Sequence, residues 1–141
     1  MSSPENLKNE NEHPPKQRHG CVTAWLVLLI IANSATAMIY FFASEMIIEN
    51  LANVSLTITV LLGIFSIANV VFAIMLFQWK KLGFWGFLGT SIVALIINMS
   101  VGLGIGQSLI GLLGAVILYG ILQIKNDGVK AWENLESPAT P

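Results

Sequence analysis

Three asparagines, Asn33, Asn69 and Asn98, stand inside long apolar stretches and are the groups through which this chain could act within a membrane. Each carries two amide donors and a carbonyl acceptor, which hydrocarbon cannot satisfy, so all three are expected to point into a helical bundle. Two readings of them are open. They line a pore or a solute site, or they hydrogen-bond between helices, a contact commonly contributing about 1 kcal/mol or less. The stretches around them contain no Asp, Glu, Lys, Arg, His or Cys. Intramembrane hydrolysis needs a nucleophile with a base, paired acids or metal ligands. Proton- or ion-coupled transport generally needs an ionisable side chain near the midplane. The chain is therefore expected to be no enzyme, with no catalytic, cofactor-binding or metal-binding residues. Nor does it have the glutamate that small four-helix multidrug exporters embed in their first helix.

The remaining candidates lie outside the apolar stretches. His13 and His19 are six apart in a polar N-terminal tail, where a solvated tail competes with a metal site. Cys21, at the foot of the first apolar stretch, is open to palmitoylation or is an inert thiol. Glu45 and Glu49, spaced i,i+4 on a helical extension of the first span, could attract a cation or simply form an acidic external loop. Asn53-Val54-Ser55 matches the glycosylation pattern but lies against the membrane. Gly102-x-Gly104-x-Gly106 lacks the strand and the further glycine of a dinucleotide fingerprint. It reads as a tight turn, because so short a connection leaves little chain for a re-entrant, carbonyl-lined filter.

The elements that position these residues follow from composition. Of 141 residues, 55% are hydrophobic and 11% charged, a charged fraction about half that of a soluble domain. Net charge is −1, which gives no field for a polyanion, and nucleic acid is not an expected partner. The single cysteine cannot form an internal disulfide. The expected fold is all-α, a four-helix transmembrane bundle, with spans over about 22–42, 55–77, 83–101 and 107–124. Residues 1–20 are read as a disordered cytoplasmic tail, 21–125 as the membrane domain and 126–141 as a second cytoplasmic tail. Ala35-Thr36-Ala37 imitates a signal-peptide cleavage site, but the apolar run continues past it to Phe42.

Gln78-Trp79-Lys80-Lys81-Leu82-Gly83-Phe84-Trp85-Gly86 is the only basic interruption between the tails. Lys80 and Lys81 fix this turn, and with it both termini, to the cytoplasmic side, and Trp79 and Trp85 serve as interface anchors. All seven Lys and Arg fall in the two tails, in this turn or, for Lys125, where the last span meets the second tail. Counted from the basic end, Asn33 is about eleven residues up the first span and Asn69 about eight up the second. At ~1.5 Å per residue both come near mid-membrane, while Asn98 stands about fourteen residues up the third.

Each span offers a small-residue face for close packing. These are Ala32 to Ala37 in the first, Gly63, Ser66, Asn69 and Ala73 in the second, Gly86, Thr90, Ala94 and Asn98 in the third, and Gly104, Ser108, Gly111 and Ala115 in the fourth. After an Asp127-Gly128 turn, Val129, Trp132 and Leu135 recur at three-residue spacing. They predict a short interfacial helix with Trp132 as its anchor.

The segments Trp79 to Phe87, Gly102 to Gly111 and Gln123 to Gly128 followed by Ala131-Trp132-Glu133-Asn134-Leu135 resemble small bacterial four-span membrane proteins. The likeness runs roughly from Gly20 to Leu135 and implies a multi-pass protein of a bacterial inner membrane, with no activity to carry over. The expected function is an interaction or accessory role in the lipid bilayer, with a membrane-protein partner or a homo-oligomer. The alternative is a passive channel or uncoupled carrier lined by Asn33, Asn69 and Asn98.

Overall fold

A computed structural model describes residues 18–50, 53–102 and 105–136. The tail before residue 18, Leu103-Gly104 at the centre of the glycine turn, and residues 137–141 lie outside the described residues. The elements in order are α1 (Gly20–Phe42), α2 (Ser44–Asn50), α3 (Leu56–Phe77), α4 (Leu82–Ser100), α5 (Ile105–Leu122), β1 (Lys125–Asn126), β2 (Val129–Lys130) and α6 (Ala131–Glu136). The protein is mostly helical. Helices α1, α3 and α4 are long and apolar enough to cross a membrane, and α5 adds a shorter apolar stretch, Ser108–Leu122.

Between 22% and 28% of each of the three long apolar windows is buried. Phe42, Ile31, Ile96 and Ile110 are among the large apolar side chains left on the outside. Helices apolar all round, with their outer faces uncovered, suit hydrocarbon as solvent and would be an association hazard in water. This is a membrane protein.

α1 packs along α3, α3 along α4 and α4 along α5, while α1 and α5 meet only sparsely. The core lies toward the end that carries Lys80 and Lys81. There Val22, Leu26, Leu76, Phe84, Leu118 and Leu122 are buried together, joined by Ala131 and Leu135 of α6. α3 and α4 approach closely where Phe72 lies over two glycines. A Cβ on Gly83 would come 2.5 Å from the Phe72 carbonyl oxygen, and one on Gly86 would come 2.4 Å from the Phe72 ring. A small-residue contact is thus present on α4, but it runs through Gly83 and Gly86, nearer the turn than the ladder expected from Gly86 upward.

Three local features depart from the sequence reading, the first being that Gly106, expected in the glycine turn, lies inside α5. Glu45 and Glu49 are not on an extension of α1. The helix stops at Phe42, Ala43 turns to φ −114°, ψ 22°, and α2 restarts and packs against α3. Val129 is not on the last helix either, since it pairs with Asn126 across a two-residue hairpin. Asp127 (φ 52°) and Gly128 (φ 86°) both take the left-handed conformation that such a turn requires. The helix begins at Ala131, so its buried face is Ala131 and Leu135 with Trp132 beside them. Glu133 accepts a hydrogen bond from the Lys130 backbone N–H at 3.2 Å, half of a capping box that fixes this start.

Candidate functional site

The polar residues of α1, α3 and α4 fall into a connected group and an unconnected one. In the first, Asn33 donates through Nδ2 to the Leu29 carbonyl of its own helix at 2.8 Å, which orients its amide. Its Oδ1 accepts from Asn69 Nδ2 at 3.2 Å, bridging α1 and α3. Asn69 Oδ1 in turn accepts from the Thr90 hydroxyl of α4. That hydroxyl also lies 3.0 Å from the carbonyl oxygens of Gly86 and Phe87. Its single proton serves one acceptor at a time, and only the bond to Asn69 crosses between helices. Three helices are thereby tied at one level by neutral groups.

Asn98, two turns further along α4, does not join this group. Its Oδ1 is buried and has no hydrogen-bond partner, and the indole Nε1 of Trp25 on α1 is in the same condition. The other hydroxyls are mostly satisfied within their helices: Thr36, Thr59, Ser66, Ser91 and Ser100 each donate to the carbonyl four residues earlier. Such back-bonding is the local way for a hydroxyl to be tolerated in hydrocarbon.

Both groups face one cavity of about 450 Å³ between α1, α3, α4 and α5. Asn33, Asn69, Asn98 and Trp25 line it, together with the apolar side chains Leu29 and Phe87. Among the described residues no carboxylate, amine, guanidinium, imidazole or thiol lines it. Gly111 also faces it, with no atom within 4 Å of where its Cβ would stand. The small-residue face expected on α5 therefore splits. Ser108 and Ala115 are buried in packing, whereas Gly111 leaves space instead of letting a backbone approach. The volume is in the range of small-molecule sites, which are typically apolar with a few placed polar groups.

The anchors named from sequence sit at the sealed end. Trp79 is at the C-terminus of α3 with φ 61°, a left-handed conformation uncommon for a bulky residue. It closes a Schellman motif, its N–H bonded to the Leu76 carbonyl at 3.1 Å and the Lys80 N–H to the Met75 carbonyl at 2.9 Å. Glycine is the usual residue there; tryptophan is held by Arg18, whose guanidinium stacks 4.2 Å from the Trp79 ring and 5.0 Å from that of Phe77. Arg18 Nη2 also donates to the Leu76 and Phe77 carbonyls at 2.9 and 3.0 Å, placing a cation on the negative end of the helix dipole. Burial there lowers the Arg18 pKa from its ordinary value, although arginine stays charged at neutral pH.

Lys80 and Trp85 are exposed. Lys81 places its Nζ 4.8 Å from the Trp132 ring, and Trp132 packs edge-on against Phe84 and Tyr119 at 5.1 and 5.4 Å. Trp132 thus contacts the ends of α4 and α5 directly.

The sequence reading did not single out Arg18 or Trp25, and it placed Thr90 only in a packing ladder. Thr90 was findable, because it lies eight residues above Leu82 as Asn69 lies eight above Phe77. Nothing local marks Arg18, whose partners are 58 and 59 residues away.

His13 lies outside the described residues. His19 caps α1, its Nδ1 accepting from the Cys21 N–H at 3.2 Å. Among the described residues no three His, Cys, Asp or Glu side chains lie close enough together to hold a metal ion. No protein-family model, curated protein or solved structure matches this chain.

Proposed function

We propose that the chain is a four-span protein with both termini in the cytoplasm, serving a non-enzymatic interaction or accessory role in a bacterial inner membrane. The observation that supports this reading best is the pairing of Asn69 with both Asn33 and Thr90, which uses mid-helix polar groups to join helices. Lys80 and Lys81 between α3 and α4, with Lys125 after α5, favour a cytoplasmic location for that end. Reporter fusions at Asn50 and Gly104 should then report outside, and fusions at Lys81 and the C-terminus inside. A cytoplasmic signal at Asn50 would sink the topology.

The second reading, a passive channel or uncoupled carrier, draws support from the cavity that passes Asn33, Asn69 and Asn98. Against it stands the packing of Val22, Leu26, Leu118 and Leu122, each at most 2% exposed, which closes the basic end. A channel needs a continuous path, so flux would require those side chains to part. Proteoliposomes containing the wild-type protein should show no solute or ion flux above that of empty vesicles. Flux that changes with Asn69→Ala would overturn the accessory role in favour of the carrier.

A further inference from the structure

We infer that the cavity binds a neutral, single-chain, alcohol-headed lipid of the monoacylglycerol class, taken sideways from the bilayer between α1 and α5. The inference rests on the four-span reading and adds to it what the cavity holds.

Access comes first. The α1–α5 seam is the sparsely packed one, and its cavity-lining residues Leu28, Ile110 and Leu113 are 51%, 66% and 56% exposed. The mouth therefore faces the surface that hydrocarbon would cover. Glycine at 111 and 114 keeps the α5 wall low: the first has nothing within 4 Å of a Cβ, the second only Leu29 at 4.0 Å.

Shape selects a chain. The lining residues of α1 run from Trp25 to Tyr40, about 22 Å at 1.5 Å per residue. The slot is blind, since the packed core at the basic end closes it below Trp25. A cavity of about 450 Å³ drawn out along that length takes one slender apolar body and no second chain.

Charge excludes ionised heads. Among the described residues no lining side chain is charged at neutral pH, so a carboxylate or phosphate would enter a low-dielectric slot with no counter-charge. Both amide oxygens are already taken, Asn33 Oδ1 by Asn69 and Asn69 Oδ1 by Thr90, so neither calls for a donor from the ligand.

The head is placed by Asn98. Asn98 lines the slot, and its Oδ1 has no hydrogen-bond partner among the described residues; turning the amide toward the slot lets that oxygen accept a bond from a hydroxyl. It lies eight residues, about 12 Å, beyond Thr90 and away from the blind end, where a head entering last would rest.

The test uses the full chain in phosphatidylcholine nanodiscs doped with 1-monooleoylglycerol or, separately, oleate at equal mole fraction. Retained lipid is counted by native mass spectrometry, and thermal unfolding by circular dichroism serves as the folding control. One monooleoylglycerol per chain should be retained, at least tenfold in preference to oleate. Gly111→Leu and Ala94→Phe, which fill the slot from α5 and α4, should each abolish retention while the protein still unfolds cooperatively. Asn98→Leu should weaken retention about fivefold, the effect of one lost hydrogen bond. Equal retention of oleate, or retention unaffected by a folded filling variant, overturns the inference. The reporter fusions separate the two failures: correct topology without selective retention removes only the ligand, whereas a cytoplasmic Asn50 removes the four-span reading beneath it.

Discussion

The two ends of the bundle are built differently. At the basic end α3 and α4 are joined by four residues, Gln78 to Lys81, and Arg18 clips the start of α1 to the last carbonyls of α3. The hairpin and α6 then fold back so that Ala131 and Leu135 join the core. At the other end α1 breaks at Ala43 into α2, α4 gives way at Gly102, and the cavity reaches as far as Tyr40 on α1 and Asn98 on α4. Hydrocarbon gives apolar helices no hydrophobic reason to associate, so close packing has to come from complementary shape and polar ties. The close contact at Gly83 and Gly86 and the Arg18 clip both lie at the basic end, where residues of α1, α3, α4, α5 and α6 share one buried cluster.

The largest expected effect breaks that contrast at its tightest point. Gly83→Leu drives a side chain into the Phe72 carbonyl, 2.5 Å from where a Cβ would stand, and the backbones of α3 and α4 must separate. We expect a loss of about 3 kcal/mol, the upper part of the overpacking range, or failure to recover folded protein. Gly111→Leu, facing open space, should leave the midpoint of detergent unfolding nearly unchanged. Comparable losses at both glycines would mean that the open end is as tightly packed as the basic one.

An intermediate effect is expected at the clip. Arg18→Ala removes two hydrogen bonds to the end of α3 and the stacking on Trp79, leaving that residue left-handed without its cover. A loss of about 1–2 kcal/mol follows from charge-assisted hydrogen bonds and partly desolvated cation–π contact. Arg18→Lys should recover only part of it, because an ammonium cannot present a planar fork to two carbonyls while stacking. Equal melting of wild type and Arg18→Ala would show the clip to be energetically idle.

The smallest effects sharpen the comparison, since they set one asparagine against another. Asn69→Ala takes two interhelical contacts from the tied level and should lower stability by about 1 kcal/mol. Asn69→Leu should be clearly worse, adding bulk beside Ser66 and Ala73. Asn98→Leu, which removes a buried acceptor without a partner, should be neutral or slightly stabilising. The reverse ranking would place the polar tie at the open end.

Much of this was legible in the chain. The three long apolar helices and the shorter α5 begin and end within two residues of the stretches read from hydropathy, because length and apolarity are sums over neighbouring residues. A break after α4 was also legible, since Gly102 takes φ 80°, although Ile105 and Gly106, read as part of the turn, lie in α5 and Leu103-Gly104 lie outside the described residues. The break at Ala43 was not, since Phe41-Phe42-Ala43-Ser44 contains neither proline nor glycine and the turn is stabilised by α2 returning to α3. The start of α6 was misplaced because a three-residue recurrence at Val129 looks helical until the Asp127-Gly128 turn claims that residue for a strand.

By itself the sequence determined that the protein is helical and apolar, where its long apolar stretches run, and that no charged residue stands inside them. Those properties are written one residue at a time. Only the tertiary structure decided that Asn33 and Asn69 pair while Asn98 is left over, that Arg18 rests on Trp79, and that Gly83 is crowded where Gly111 is open. Each of these depends on how far a helix is rotated about its own axis and which helix lies beside it. Helices apolar all round carry little amphipathic pattern from which to read that rotation; contacts between residues distant in the chain fix it.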